Sequence, residues 1–156
     1  MERRWSAHDL CGHIDPGKKG AVAYLLEREG GWLENVFPID DLPQLLHRLL
    51  RTGQPIRCCL EQVHAMPKQG VSSTFSFGVN FGWCKGLLEA HGISYQEVPP
   101  RKWKAEFGLN SDKAESIKTA RKLFPEADLK ISARARTDND GMAEALLMAE
   151  YARRKL

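Results

Sequence analysis

Carboxylates at predicted strand ends and at a predicted helix start are the residues whose types and spacing could carry chemistry. Asp15 ends the first predicted strand, and Glu61 follows an apolar run on another. Asp140 and Glu144 stand four residues apart at the head of a predicted helix, so both project from one face. Such oxygen ligands suit Mg²⁺ or Mn²⁺, and two ions about 3.5–4 Å apart can activate water and stabilise a leaving 3′ oxygen. If the four acids converge at one edge of a sheet, they predict a metal site for phosphodiester hydrolysis.

Each of these acids also has a purely structural explanation. Asp15 begins an Asp-Pro-Gly tripeptide, a favoured turn because proline presets φ and glycine accepts positive φ. Glu61 could reach solvent from the end of its strand, and Asp140 could cap the helix that follows it. Asp138, in the loop before that helix, suits an N-cap or a solvent position better than a ligand position. A metal site is indicated only if the four candidate ligands lie close together in the fold. If they lie apart, their turn, cap and solvent positions explain them.

The elements that must position these acids follow from hydrophobic periodicity. The sequence predicts strands over residues 8–15, 20–26, 31–37, 56–63 and 93–98, and helices over residues 40–51, 72–91, 101–107, 112–124 and 141–154. One stripe of the 72–91 helix is predicted to be buried in a core or an interface, and it comprises Phe75, Phe81, Cys84, Leu87 and Leu88. Three early strands in hairpin order, followed by alternating helices and strands, predict an α/β fold with a mixed sheet.

Length and composition predict one globular domain over residues 1–156. Hydrophobic residues make up 42% of the chain and charged residues 28%, which argues against disorder and against a membrane protein. No apolar run reaches the ~18–20 residues of a spanning helix, and no apolar stretch follows the basic start, so we expect no secretory or transit peptide. The four cysteines include no C-x-x-C pair and are expected to be reduced thiols.

The charge of the chain is unevenly distributed. The net charge is only +3, but residues 101–136 hold ten Lys and Arg against five Asp and Glu. A basic segment on a mildly acidic body is typical of a polyanion-binding face, although it is also the pattern of a solvated helix face. Neither G-x-G-x-x-G nor a Walker A loop is present, so a nucleotide-binding site is not indicated.

Three runs that contain the candidate ligands resemble RuvC-type Holliday-junction resolvases. They are HIDPGKKGA at residues 13–21, LEQVH at 60–64 and DGMAEALLMA at 140–149. The stretch between them resembles the phage and chloroplast branch of that family, through KQG at 68–70, FSFG at 75–78, WK at 103–104, FGL at 107–109 and LFP at 123–125. The resemblance covers about residues 10–154, and the motifs follow the order of the family.

The resemblance implies an RNase H-like fold with a mixed five-stranded sheet flanked by helices. It implies a structure-selective endodeoxyribonuclease that acts as a homodimer on four-way junction DNA, nicking strands of like polarity at symmetric positions. Two Mg²⁺ ions per active site are implied, with Mn²⁺ as a substitute, and neither a small-molecule cofactor nor a membrane is expected. The implied location is the cytoplasm, at the nucleoid, or the host cytoplasm if a phage encodes the protein.

The family's acidic residues map onto this chain with one departure. Asp15, Glu61 and Glu144 match the first-strand, central-strand and final acids. Asp140 lies where the chloroplast branch has a histidine, whereas the bacterial branch spaces its last two acids by three residues, which would fall on Gly141 here. By this resemblance Asp15, Glu61, Asp140 and Glu144 are the metal ligands and catalytic acids.

Residues for DNA contact come from the basic segment and from the same resemblance. Lys113 resembles the family's lysine after the glycine-containing loop and is expected to stabilise charge on the scissile phosphate. His64 stands where bacterial resolvases place an aromatic that stacks at the crossover, and Phe75 is an alternative wedge. Trp103 is expected to be packed rather than stacked on DNA. The remaining predicted DNA contacts are Lys68, Lys102, Lys104, Lys118, Arg121 and Lys122.

Other functions share parts of this pattern. A catalytically weak junction-binding protein would have the same fold, but the intact acids speak against it. An RNase H-like nuclease on RNA/DNA hybrids or other branched DNA would share the metal chemistry. Half of an actin-like or sugar-kinase-like ATPase would share the fold, but 156 residues leave no room for a second lobe to enclose ATP.

Overall fold

A five-stranded sheet with β1 at its centre organises the chain, in the strand order β3-β2-β1-β4-β5. The computed structural model describes residues 10–17, 20–28 and 31–156. The strands are β1 (Leu10–Ile14), β2 (Ala21–Arg28), β3 (Gly31–Pro38), β4 (Ile56–Glu61) and β5 (Tyr95–Val98). The helices are α1 (Leu42–Leu50), α2 (Val71–Ala90), α3 (Pro100–Glu106), α4 (Lys113–Leu123) and α5 (Asp140–Lys155), and a 3₁₀ turn (Ile39–Asp41) precedes α1. The α/β class predicted from the sequence is confirmed.

The sheet is mixed, and its parallel half positions the site. β1, β2 and β3 pair antiparallel, whereas β1–β4 and β4–β5 pair parallel. Ile14 pairs with Leu60 in the β1–β4 register. Asp15 and Glu61 each follow their member of that pair, so they lie side by side at the carboxyl ends of two parallel strands.

Strand β4 is covered on both faces, as its short apolar run predicts. Cys59 faces a core formed mainly with α5, whereas Cys58 and Leu60 face a second core with α1 and α2. All three side chains are buried. Helix α5 packs across β1, β2, β3 and β4, and ten of its side chains are buried. The helix that carries Asp140 and Glu144 is therefore fixed against the strands that carry Asp15 and Glu61.

One predicted stripe is only partly buried. Cys84 and Leu88 of α2 are buried, and Phe81 and Leu87 are partly buried against the same core. Phe75, however, is 72% exposed, so it does not belong to the core, and its burial in an interface stays a prediction. Phe75 lies in the first turns of α2, on the side turned away from the sheet. None of the helices in the described part of the chain has the length and apolarity needed to cross a membrane.

Candidate active site

The turn after β1 fixes Asp15 at the floor of the site. The Gly17 amide donates to Asp15 Oδ1 at 2.9 Å, so the aspartate closes its own turn. Gly20 presses against the backbone, and a Cβ there would lie 2.0 Å from the Asp15 carbonyl oxygen. Asp15 can therefore be both a turn residue and a candidate metal ligand, because the turn orients its carboxylate.

Burial raises the pKa of Asp15 above its usual range. The hydrogen bond from the Gly17 amide opposes this shift, and the nearby charges of Glu144 and Asp140 add to it. Asp15 therefore lies within electrostatic reach of both acids of α5. Sequence reasoning predicted that the strand acids and the helix acids lie close together, and it did so from the positions of the acids in the predicted elements alone.

Glu61 is the second strand-end acid, and burial raises its pKa to about 7. The charge of Asp15 is the next largest cause, and the charge of Glu144 adds to the rise. Trp103 Nε1 donates to Glu61 Oε1 at 3.2 Å, which favours the ionised form. Trp103 is fully buried, so its predicted packing is confirmed. Its hydrogen bond to Glu61 joins residues 42 apart in the chain, and local sequence reasoning did not find it.

On the helix side, Asp140 is the first residue of α5, not its cap. Asn139 caps the helix, because its Oδ1 accepts from the Met142 amide at 3.0 Å. Capping, the structural alternative offered for Asp140 and one of the two offered for Asp138, is therefore not the role of either residue. Lys113 Nζ lies 2.7 Å from Asp140 Oδ2, and this contact holds the pKa of Asp140 below its usual range.

Glu144 is held by two donors at one oxygen. Lys104 Nζ lies 3.0 Å from Glu144 Oε1, and Ser116 Oγ donates to the same oxygen at 3.1 Å. Ser116 is fully buried on the inner face of α4. Sequence reasoning did not find Ser116, whose one distinguishing feature is that it is a polar residue at a core position of the helix.

Asp138 lies outside the site and anchors the loop before α5. Arg121 grips it with two hydrogen bonds, Nε to Oδ2 at 2.8 Å and Nη2 to Oδ1 at 2.6 Å. Arg121 Nη1 also donates to the Ala127 carbonyl at 2.7 Å. The guanidinium is therefore occupied within the protein, and the predicted phosphate contact of Arg121 is replaced by a structural role.

Three of the four acids, Asp15, Asp140 and Glu144, line an open cleft of about 440 Å³, and Glu61 lies next to Asp15 outside that lining. The residues that line the cleft are Asp15, Gly17, Phe77, Lys104, Ser111, Lys113, Asn139, Asp140, Gly141 and Glu144. Within the described residues, no three Asp, Glu, His or Cys side chains are gathered closely enough to form a ready-made cation site. The donor set nevertheless fits a hard divalent cation, because all four acids offer oxygen. Burial, and after it the charges of neighbouring acids, raise the pKa values of the two strand-end acids.

The other predicted DNA contacts lie on the surface around α2, α3 and α4. His64 and Lys68 are exposed in the segment between β4 and α2, and Phe75 is exposed on α2. Lys102, Lys118 and Lys122 are exposed on α3 and α4. Lys104 and Lys113 differ from these residues because they line the cleft. Phe77 also lines it, and sequence reasoning had included that residue only as part of the FSFG run, without a role in the site.

Solved structures provide a match for this fold. With T. thermophilus RuvC in complex with a Holliday junction substrate, the TM-score is 0.59 at 16% sequence identity, covering 95% of this chain and 97% of that chain. With a second Thermus thermophilus RuvC structure, the TM-score is 0.56 at 15% identity, covering 93% of this chain and 96% of that one. No protein-family model matches the sequence, and neither does any curated protein. The chain therefore has the RNase H-like α/β fold seen in RuvC.

Proposed function

We propose that this protein is a structure-selective, divalent-metal-dependent endodeoxyribonuclease that resolves four-way DNA junctions by paired symmetric nicks. The observation that carries the proposal is the electrostatic convergence of Asp15, Glu61, Asp140 and Glu144 beside one cleft. The RuvC fold supports it, and the sequence motifs favour the phage and chloroplast branch. We expect the protein to act in the cytoplasm, on DNA at the nucleoid or in a phage host.

The four acids would hold two Mg²⁺ ions, with Mn²⁺ able to substitute. When bound, such ions supply an activated water and stabilise the leaving 3′ oxygen. Trp103 and Ser116 orient Glu61 and Glu144 through their hydrogen bonds. Lys113 is the predicted catalytic cation, and its ammonium reaches the cleft from the first residue of α4. There it can stabilise negative charge on a phosphate.

The exposed side chains provide a surface for DNA. Lys68, Lys102, Lys118 and Lys122 offer ammonium groups for phosphates, which makes binding salt-sensitive. His64 and Phe75 offer rings that can replace base stacking lost at the crossover. Both side chains are exposed, so either is available as the wedge.

Paired nicks require two active sites, and a homodimer supplies them by symmetry. The α2 outer face, formed by Val71, Phe75, Val79 and Trp83, is exposed and apolar along three turns. A two-fold contact between two α2 outer faces would bury these side chains. Phe75 belongs to both the predicted wedge and this face, so the two roles are alternatives for one residue.

The decisive experiment compares substrates in Mg²⁺. A mobile four-way junction, a fixed junction, an RNA/DNA hybrid and a linear duplex are incubated with the protein, and products are mapped at nucleotide resolution. We expect symmetric nicks in the junctions and little cleavage of the hybrid or the duplex. Preferential cleavage of the hybrid would establish the RNase H alternative. Junction binding without nicking in Mg²⁺ or Mn²⁺ would establish the catalytically weak alternative.

The dimer has its own test. Val79→Glu places a charge on the α2 outer face without touching the cleft or Phe75. We expect it to shift the protein from dimer to monomer in sedimentation, and to convert paired nicks into single, uncoordinated ones. The matched control is Leu123→Glu, which adds the same charge at an exposed apolar position on α4. A monomeric wild-type protein that still makes paired nicks would contradict this assignment.

A further inference from the structure

Two lysines of the cleft are already bound to the acids proposed to hold metal. Lys113 Nζ lies 2.7 Å from Asp140 Oδ2, and Lys104 Nζ lies 3.0 Å from Glu144 Oε1. The two acids occupy the first two turns of α5, while the lysines come from α4 and α3. Each of these two acids thus has an ammonium group on one of its oxygens.

We propose that Lys104 and Lys113 are exchangeable counter-ions of the metal site. Each lysine occupies a carboxylate of α5 when the cleft holds no divalent cation. Each is displaced towards the DNA phosphate when a cation binds that carboxylate. This inference rests on the proposed metal-dependent nuclease function and adds a competition between lysine and metal.

The charges of the cleft make such an exchange favourable. Two ammonium groups balance only half of the four carboxylates. Two divalent cations would balance all four, which leaves both ammonium groups without a counter-charge. A phosphate entering the cleft supplies that charge, since lysine binds phosphate as a compact cation with three donors. Metal binding would therefore free both ammonium groups to bind a phosphate of the DNA.

The two lysines differ in how freely they can exchange. The Lys113 side chain is 75% exposed, so it can leave Asp140 without disturbing its neighbours. The Lys104 side chain is 23% exposed, and its Nζ lies 5.3 Å from the centre of the Trp103 ring. A cation over an aromatic face is held there by an additional attraction. Lys113 is thus the mobile counter-ion, whereas Lys104 moves over a shorter range.

Competition predicts that removing a lysine strengthens metal binding. A solvent-exposed ion pair contributes little, so for Lys113→Met we expect Mn²⁺ to bind about threefold more tightly than in the wild-type protein. A lysine that merely supported the structure of the site would have the opposite effect, because its loss would disorder the ligands. The sign of the change therefore separates the two roles.

The experiment is a Mn²⁺ titration of the DNA-free protein, followed by electron paramagnetic resonance and by calorimetry. The variants are Lys113→Met and Lys104→Met, with Lys118→Met as the matched control. Lys118 is on the same helix as Lys113, is 78% exposed, and lies 3.8 Å from Glu115 rather than beside a cleft acid. We expect tighter Mn²⁺ binding in the two test variants and an unchanged affinity in the control. Circular dichroism checks that each variant is folded, and Lys113→Met alone carries the test if Lys104→Met is not.

A parallel titration of Asp15→Asn identifies the site that is being measured. Mn²⁺ binding that disappears in Asp15→Asn, but is equal or weaker in folded Lys113→Met, would overturn the counter-ion role and leave the proposed function standing. Saturable binding that does not depend on Asp15, or no saturable binding by the wild-type protein, would overturn both.

Discussion

The strand side and the helix side of the cleft differ in what balances the charge of their acids. Asp15 and Glu61, at the strand ends, accept hydrogen bonds from neutral donors, the Gly17 amide and the Trp103 indole. Asp140 and Glu144, on α5, are paired with lysines. Burial raises the pKa of each strand-side acid in spite of these hydrogen bonds, whereas the contact with Lys113 lowers the pKa of Asp140.

The acids on the two sides of the cleft therefore differ in how much they would gain from a bound cation. A buried carboxylate without a counter-charge is costly, and a bound cation is one of the few ways to remove that cost. The rigid strands therefore hold the acids that gain most from a divalent ion. The helix side holds acids that lysines already compensate, and in the proposed exchange a divalent ion would replace those lysines.

The largest expected effect is on the strand side. Asp15→Asn or Glu61→Gln should reduce junction nicking by at least about a thousandfold, because each removes an anionic metal ligand. Junction binding should survive, since the predicted phosphate contacts are elsewhere. Gel-shift binding in Ca²⁺ and nicking in Mg²⁺ measure the two properties separately. Loss of both in a folded variant would make these residues structural rather than catalytic.

On the helix side, Asp140 and Asp138 should differ sharply. Asp140→Ala should lower nicking by at least about a hundredfold, whereas Asp140→His should keep part of the activity, as the chloroplast branch suggests. Asp138→Ala should leave turnover within a few-fold but destabilise the fold by about 1 kcal/mol, because Arg121 loses its bidentate partner. Nicking rates and urea unfolding provide the two measurements. An inactive Asp138→Ala with an active Asp140→Ala would reverse the assignment.

The raised pKa of Glu61 predicts a pH-dependent stability for the metal-free protein. Between its ordinary value of 4.5 and about 7, the folded state keeps a proton that the unfolded chain has lost. The free energy of unfolding should therefore fall as the pH rises through that window. Glu61→Gln should remove this dependence and be more stable than the wild-type protein at pH 8, by on the order of 2 kcal/mol. Urea unfolding in EDTA at pH 4.5 and pH 8 tests this, and parallel curves for the two proteins would contradict it.

The smallest expected effect on nicking comes from removing the neutral hydrogen-bond donor to Glu61, the indole N–H of Trp103. Trp103→Phe keeps an aromatic ring in the core but removes the N–H that orients Glu61. We expect nicking to fall about tenfold, which corresponds to the loss of one hydrogen bond to a charged group. The Mg²⁺ concentration for half-maximal rate should rise as well, which a packing defect alone would not cause. An unchanged metal requirement would leave Trp103 with a packing role only.

Sequence reasoning found the candidate acids on both sides of the cleft more fully than it found the partners of those acids. Asp15 and Glu61 were predictable because strand ends follow from local alternation and turn residues. The partners of the acids were not, because Trp103 and Ser116 lie 42 and 28 residues from the acids that they contact. Such contacts depend on sheet register and helix rotation, which no local pattern contains. The functions of the basic residues could not be predicted from their charge either. Arg121 binds Asp138 and anchors a loop, whereas Lys118 faces solvent, and nothing in the local sequence distinguishes the two.

The packing of α5 across four strands also has a consequence for biosynthesis. A ribosome makes a chain from its amino end, so β1 and β4 emerge well before α5. Until α5 docks, Asp15 and Glu61 have no helix acids beside them. Docking is expected late in folding, because the contact between β4 and α5 closes the long stretch of chain between Glu61 and Asp140. A nascent chain stalled before α5 would therefore hold only half of the candidate site. The proposed nuclease would thus acquire its complete candidate site only once most of its chain has been translated.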